Sequence, residues 1–220
     1  MKYNGSMSEN QENQGTLHSY EIAGAEGYLA SHPHLANPEV MEPVKGWLNR
    51  VLALVPPNGR VLELGSALGR DADYIESHGY SVERTDAAQT FVDYMQKQGH
   101  SARLLDLVHD ELGGPYDMVF ANAVLLHLTG EETEVALHKV RNSLSKGGVL
   151  AFSVKPGDGE EWTEAKMGEA RYYNYWTAEG LSAQLTKANY QVLELFEGRS
   201  QPDNTQRLFV MATPCVPSRR

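Results

Sequence analysis

The chain has 220 residues, a length typical of one globular domain with a sizeable core. Its 29 acidic and 19 basic side chains give a net charge of −10 without a basic cluster, so no nucleic-acid partner is expected. The single cysteine, Cys215, excludes an intramolecular disulfide, and no apolar run is long enough to cross a bilayer, so we expect a cytoplasmic protein with no membrane partner.

The N-terminal quarter precedes any clear strand. Residues 1–15 are polar and lack an apolar period, which predicts a disordered tail. Residues 16–35 contain scattered aromatic residues and predict one or two short helices. Residues 39–54 carry a wide apolar stripe at helical spacing, which predicts a longer helix.

An apolar strand at residues 61–64 ends in a glycine loop that indicates a nucleoside ligand. Gly65 and Gly69 lead into a predicted helix, the usual nucleoside site of a parallel sheet. The loop matches neither the G-x-G-x-x-G of dinucleotide-binding proteins nor a phosphate-binding loop. It therefore favours a nucleoside without a phosphate chain, and Glu63 at the strand end fits an ammonium group. S-adenosylmethionine meets both requirements.

Two further acids close the next predicted strands. Asp86 follows strand 81–85 about 20 residues after the glycine loop, the spacing at which an acid commonly binds ribose hydroxyls. Asp106 follows strand 102–105, where a carboxylate fits the amino group of adenine. The alternative is that both acids only cap turns or helix starts.

The remaining pattern predicts a parallel sheet with helices on both faces, because strands and helices alternate. The predicted helices are 68–78, 87–98, 131–144 and 177–188, and the later strands are 116–121, 149–154, 191–196 and 207–213. A polar insertion at 155–176 interrupts the alternation. The short connection between the last two strands indicates an antiparallel hairpin at the sheet edge.

Together these residues resemble class I S-adenosylmethionine-dependent methyltransferases over roughly residues 45–213. The matches are Glu63-x-Gly65-x-Ala67-x-Gly69, Asp86, the pair Asp106-Leu107, Tyr116-Asp117-x-Val119 leading to Leu126-His127, and Gly148 before the fifth strand. Ala67 is a departure, since its methyl group stands where the family has room for the methionine end of the cofactor.

The resemblance implies a Rossmann-like, doubly wound α/β fold with seven mostly parallel strands and an antiparallel C-terminal edge hairpin. It also implies a helical lid at residues 16–55, ahead of a cofactor-binding domain at 56–215 that carries the insertion. The residues it assigns to S-adenosylmethionine are Glu63, Gly65, Ser66, Gly69, Asp86, Asp106, Leu107 and Asn122.

The insertion ends in the aromatic run from Arg171 to Trp176, which we interpret as the acceptor side. In an extended segment Tyr173 and Tyr175 share one face, where they form a wall for a flat or cationic acceptor. Arg171 suits a substrate carboxylate, although a solvated surface arginine is the commoner fate. The alternative for the whole run is a hydrophobic anchor that packs the insertion on the sheet.

Few residues offer acid–base chemistry. His127 follows the fourth strand and is the best candidate for a catalytic base, with Tyr173 beside it; the alternative is a histidine that shapes the pocket floor. Tyr20 and Tyr28 in the lid are candidate acceptor contacts, or simple packing residues. His32 and His34 lack a nearby thiol or acid pair, so no metal is expected.

The sequence therefore predicts a monomeric or homodimeric enzyme that methylates N, O or C of a small aromatic or amine-bearing acceptor. The alternatives are a methyltransferase acting on protein or RNA, and a non-catalytic module that binds S-adenosylmethionine and regulates a partner.

Overall fold

The computed structural model describes residues 11–165, 167–201 and 204–215. Within those ranges no helix combines the length and the apolar character that a membrane crossing requires. Of the predicted disordered tail, residues 1–10 lie outside the described part, whereas residues 11–15 form the first turns of a helix. The prediction was wrong there because Asn13 and Thr16 are buried, so this polar turn is held by packing against the rest of the domain.

Six helices and nine strands make up the described fold. The helices are α1 Gln11–Ser31, α2 Val44–Leu52, α3 Arg70–Ser77, α4 Gln89–Lys97, α5 Gly130–Ser143 and α6 Ala178–Lys187, with short 3-10 turns at Pro33–Ala36 and Leu125–His127. The strands are β1 Arg60–Leu64, β2 Ser81–Asp86, β3 Ala102–Leu104, β4 Tyr116–Asn122, β5 Leu144–Pro156, β6 Glu160–Thr163, β7 Arg171–Trp176, β8 Tyr190–Arg199 and β9 Gln206–Pro214.

The sheet has the predicted mixed character. Strands β1 to β5 pair in parallel in the order β3-β2-β1-β4-β5, and β9 adds antiparallel to β5 and to the edge strand β8. These seven strands confirm the mostly parallel sheet with an antiparallel C-terminal hairpin.

The insertion differs from the expectation, because it contributes two further strands. Its polar first half folds as β6 against the aromatic strand β7, and β7 runs parallel to the last residues of β5. Aromatic residues favour the pleated, half-buried surface of a strand, which explains why the run from Arg171 to Trp176 is extended. The hairpin β6–β7 thereby stands at the carboxyl end of β5.

Both faces of the sheet are covered. On one face α5 and α6 bury leucines against β1, β4, β5 and β9. On the other face α2 packs Trp47 between Phe120 and Phe209, at ring-centroid distances of 5.1 Å. The sequence analysis placed α2 in the lid at 16–55, but its apolar stripe makes it part of the core. Of the predicted lid, chiefly α1 lies over the carboxyl ends of the strands.

Candidate active site

A cavity of about 290 Å³ opens where β1, β2, β4 and β5 end, and α1 covers it. Its lining falls into two parts that differ in chemistry. The acidic half comprises residues 65–68 of the glycine loop with Glu63, Asp71, Asp86 and Asp106, whereas the predicted cofactor residue Gly69 does not line the cavity. The aromatic half comprises Tyr20, Tyr28, His127, Lys155, Arg171 and Tyr173.

The glycine loop is shaped by positive φ angles and by close contact with the next loop. Gly65 has a φ of 65°, and a Cβ atom there would lie 2.5 Å from Cγ2 of Val124. Ala67 adopts the same left-handed region with a φ of 48°, which a residue with a Cβ enters at a cost. Ser66 ties the loop to β2, since its N–H donates to the Thr85 carbonyl at 2.8 Å. Gly69, with a φ of 84°, then caps α3.

Glu63 in the acidic half is a buried carboxyl with a raised pKa. Its side chain is buried, and Oε2 finds no hydrogen-bond partner among the described residues. Burial, followed by the nearby Asp71 carboxylate, raises the pKa of Glu63 to about 8. A cation placed against Oε2 would supply the missing partner and return the carboxyl to its ionised form.

The Asp86 carboxylate stabilises the backbone around the glycine loop. Its Oδ2 accepts the Ala67 N–H at 2.9 Å and its Oδ1 accepts the Ala88 N–H at 2.9 Å, so the carboxylate fastens the glycine loop to the start of α4. Burial raises the pKa of Asp86 to about 6 in spite of these bonds. A carboxylate has about four acceptor sites, so acceptor capacity remains for ribose hydroxyls.

Asp106 and Leu107 lie at the far end of the acidic half. The Asp106 carboxylate accepts the Val108 N–H at 2.9 Å and pairs with Nδ1 of His109 at 2.9 Å, which is the capping role that the sequence left open. Both Asp106 and Leu107 nevertheless line the cavity.

Asp71, which was not among the predicted site residues, joins α3 to the predicted residue Asn122 at the end of β4. The Asn122 Nδ2 donates to Asp71 Oδ2 at 2.8 Å, and the Asn122 Oδ1 accepts from Ser153 at 2.7 Å. Asp71 occupies the first turn of α3, where an acid is stabilised by the helix N-terminus. That position, directly after the glycine loop, was the signal available in the sequence.

Helix α1 is fastened at both sides of the cavity. The Tyr172 N–H in β7 donates to Thr16 Oγ1 at 3.0 Å, and the Ala25 N–H donates to Thr90 Oγ1 of α4 at 3.1 Å. Glu21 also accepts the Thr90 N–H at 3.2 Å, so it caps the start of α4. Gly24 kinks the helix with a φ of 65°, which brings its second part toward α4.

His127 is held neutral between two partners. Its Nδ1 lies 2.7 Å from the Tyr172 carbonyl, which only accepts, so Nδ1 carries the hydrogen and Nε2 accepts from the Tyr20 hydroxyl at 3.0 Å. Burial lowers the pKa of His127 to about 3. The predicted base is therefore a weak one whose lone pair is already engaged by Tyr20.

The tyrosines of the aromatic half meet cations of this chain. The Lys155 Nζ lies 3.6 Å from the ring centroid of Tyr173, and the Arg171 guanidinium lies 5.7 Å from that of Tyr20. Tyr28 packs edge-on against Tyr20 at 5.9 Å and extends the wall. Lys155 was missed in the sequence, although it lies at the end of β5, where strand-end residues commonly line a site.

Two predictions on β7 need correction. Arg171 is not a solvated surface residue, since only 3% of it is exposed. Tyr175 shares the strand face of Tyr173 but lies too far along to line the cavity, and its hydroxyl donates to Glu161 instead. The aromatic run thus acts partly as wall and partly as anchor, because Tyr172 is buried on the opposite strand face.

No group of three or more His, Cys, Asp or Glu side chains is arranged to hold a metal ion in the part of the chain that the structure describes.

Comparisons with known proteins agree with this geometry. A family model described as a methyltransferase domain matches residues 38–195. A carboxy-S-adenosyl-L-methionine synthase from Psychrobacter sp. (strain PRwf-1) is 26% identical over 137 residues, which cover 56% of this chain and 50% of that protein. The match thus spans about half the length of that curated relative.

Two solved structures share the fold over nearly the whole chain. The 1,6-didemethyltoxoflavin-N1-methyltransferase of Burkholderia thailandensis, with bound 1,6-didemethyltoxoflavin and S-adenosylhomocysteine, superposes with a TM-score of 0.75 at 17% identity and covers 98% of this chain and 94% of its own. The DhpI–SAH complex superposes with a TM-score of 0.71 at 20% identity, covering 93% and 97%.

Proposed function

Because the chain belongs to the methyltransferase domain family, which uses S-adenosylmethionine, we propose that it methylates a small aromatic acceptor. The observation that carries the proposal is the continuity of one cavity from the acidic half to the aromatic half. The Burkholderia thailandensis neighbour, whose name states a small-molecule acceptor, supports it.

The acidic half fits the cofactor. S-adenosylmethionine, when bound, supplies a methyl group already activated on a sulfonium. Glu63 would bind its amino group, because the buried Oε2 lacks a partner among the described residues. Asp86 would bind the ribose and Asp106 with Leu107 the adenine, while Gly65, Ser66 and Gly69 shape the loop beneath them. Asn122 would act through Asp71, which its amide orients.

The aromatic half would hold the acceptor and exclude water. Tyr20, Tyr28 and Tyr173 present rings to the cavity, and their π-faces favour a flat ligand. Enclosure by α1 keeps water from competing as a nucleophile. His127 would position the Tyr20 hydroxyl, because its Nε2 lone pair is engaged there and its low pKa makes it a poor proton acceptor. Removal of a proton by protein groups is required only where the nucleophile must lose one.

The test is calorimetry with S-adenosylmethionine, S-adenosylhomocysteine and NAD. The first two should bind and NAD should not. Asp86→Asn should weaken binding by at least about tenfold, since a hydrogen bond to a charged group contributes roughly 1.5–3 kcal/mol. Asp93→Asn is the matched control, because Asp93 is an exposed acid of α4 that accepts a hydrogen bond from Gln89 and does not line the cavity.

Binding of NAD alone, or equal affinities for wild type and Asp86→Asn, would contradict the proposal. Cofactor binding without methyl transfer to any small aromatic, in the presence of a responding partner protein, would instead support the regulatory alternative.

A further inference from the structure

We propose that the acceptor carries a carboxylate group and that Arg171 binds it. The inference rests on the proposed function, since it names the chemical class of the acceptor at the same site. It starts from the aromatic half of the cavity, where Arg171 lies, because the acids among the described residues of the cavity wall belong to the acidic half.

Arg171 is a buried cation without an acid partner. No carboxylate of the described residues lies within ion-pair distance of it, and its guanidinium donates hydrogen bonds to the Tyr20 hydroxyl at 3.4 Å and the Ala165 carbonyl at 2.9 Å. Its Nε is buried and has no hydrogen-bond partner among the described residues. Burial of a charge without a counter-ion is costly, so this arrangement calls for an anion from outside the chain.

Arg84 is a second buried arginine of this fold and serves as a comparison, because it is paired with acids. It is 3% exposed, as Arg171 is, but it pairs with Glu76 at 2.8 Å and with Asp73. Arg84 also leaves its Nε without a partner, so the carboxylates are what separates the two residues. Arg171 lines the cavity and Arg84 does not.

The contacts on the ring of Tyr173 argue against an acceptor that carries a positive charge. An ammonium group would be held on the face of a tyrosine ring. Lys155 already stands 3.6 Å from the Tyr173 centroid, and Arg171 stands 5.4 Å from the same ring. A cationic acceptor would compete with these two groups for the face of Tyr173, so the cationic acceptor expected from the sequence is disfavoured here.

A carboxylate suits the guanidinium better than a single oxygen does. Nη1 and Nη2 each have two hydrogens, of which one is directed at Tyr20 and at Ala165 respectively. The two remaining N–H groups of the planar guanidinium match the two oxygens of a carboxylate. The acceptor would thus lie with its ring against the tyrosines and its carboxylate toward Arg171.

The experiment compares benzoate, benzamide and benzylamine, which share one ring and differ in charge. Dissociation constants are measured by calorimetry at equal ionic strength, with and without saturating S-adenosylhomocysteine. Benzoate should bind at least about tenfold more tightly than benzamide, since a charged hydrogen bond is lost in the amide, and benzylamine should bind most weakly. Arg171→Gln should remove the preference for benzoate. The matched control Arg50→Gln should keep it, because Arg50 lies on the surface beside Glu194.

Arg171→Lys retains the positive charge but loses the pair of parallel N–H donors, so it should prefer benzoate over benzamide less strongly than wild type does. This variant tests the proposal if Arg171→Gln does not fold. Equal affinities for the three probes, no binding of any, or an unchanged preference in a folded Arg171→Gln protein would overturn the proposal. Failure to bind S-adenosylhomocysteine while the benzoate preference persists would instead overturn the proposed function.

Discussion

The two halves of the cavity are assembled in different ways. The acidic half comes from consecutive strand ends and the helix that follows them, so its carboxylates are placed by the parallel sheet itself. The aromatic half depends on α1 and β7, whose link from Thr16 to Tyr172 joins residues 156 positions apart. The sheet thus supports one half directly, whereas the other half exists only when two distant segments meet over it.

If the acidic half binds the cofactor and the aromatic half the acceptor, as proposed, this difference should separate the two binding steps. A change in α1 or β7 should alter the acceptor reaction and leave most of the affinity for S-adenosylhomocysteine, because the glycine loop is fastened within β1, β2 and α4. Changes in the loop should affect both. The experiments below test that asymmetry.

Removal of residues 1–35 should have the largest effect and abolish methyl transfer. The truncation deletes α1 with Tyr20 and Tyr28, so the aromatic half loses its cover and water enters. The domain should remain folded, because the two large apolar clusters contain no residue before Val40. Initial rates and calorimetry with S-adenosylhomocysteine measure the two halves separately.

A matched control for the truncation is Thr16→Val, which removes only the hydroxyl that accepts from Tyr172. It should lower the rate far less than the truncation does. If the truncated protein keeps full activity, α1 is not a lid, and the contrast between the halves fails.

The same contrast explains what the sequence predicted and what it did not. The positions of Glu63 and Asp86 at strand ends facing the cavity could be predicted, because the strand pattern and glycine spacing place them without knowledge of tertiary contacts. The burial of Arg171 and the bond from Tyr20 to His127 depend on how α1 docks, and no local pattern encodes that. Residues 11–15 were misjudged for the same reason, since their helix is stabilised by packing and not by propensity.

The next effect concerns proton release at Glu63. Its pKa of about 8 means that the carboxyl is largely protonated at pH 6 in the unliganded protein. Binding of a cationic amino group requires the ionised form, so affinity for S-adenosylhomocysteine should rise by up to about tenfold per pH unit between pH 6 and 7.5. Glu63→Gln should bind weakly and show a flat profile. A calorimetric enthalpy that depends on the ionisation enthalpy of the buffer would demonstrate the released proton.

The free energy of unfolding of the unliganded protein should fall as the pH rises, whereas the affinity for S-adenosylhomocysteine should increase. The folded state binds the Glu63 proton more tightly than the unfolded state, whose pKa is near 4.5. The contribution to stability is therefore complete below pH 4.5 and is lost as the pH rises toward 8. Asp86, whose pKa is about 6, titrates in both wild type and Glu63→Gln, so the difference between the two proteins isolates Glu63. Urea unfolding of wild type and Glu63→Gln should diverge across this window, and parallel curves would contradict the assignment.

A smaller effect is expected at the bond between Tyr20 and His127. Tyr20→Phe removes the donor and His127→Asn removes the acceptor, and each should lower kcat by about fivefold, as for loss of one buried hydrogen bond. Because the two act as a unit, the double variant should be no worse than either single variant. S-adenosylhomocysteine affinity should not change. Additive losses, or a pH profile of kcat that vanishes only in His127→Asn, would instead identify His127 as a base.

The smallest effects should come from substitutions of two alanines in left-handed conformations, Ala67 and Ala123. Ala67 has a φ of 48° in the glycine loop, and Ala123 has a φ of 63° at the end of β4. Glycine relieves the steric cost of that conformation but adds freedom to the unfolded chain, so each change to glycine should stabilise by at most about 1 kcal/mol. Ala67→Gly should also raise cofactor affinity by a few-fold if the methyl group crowds the methionine end, because its N–H still donates to Asp86. Ala123→Gly should leave cofactor affinity unchanged, and a gain of equal size in both variants would mean that loop flexibility, and not the Ala67 methyl group, limits binding.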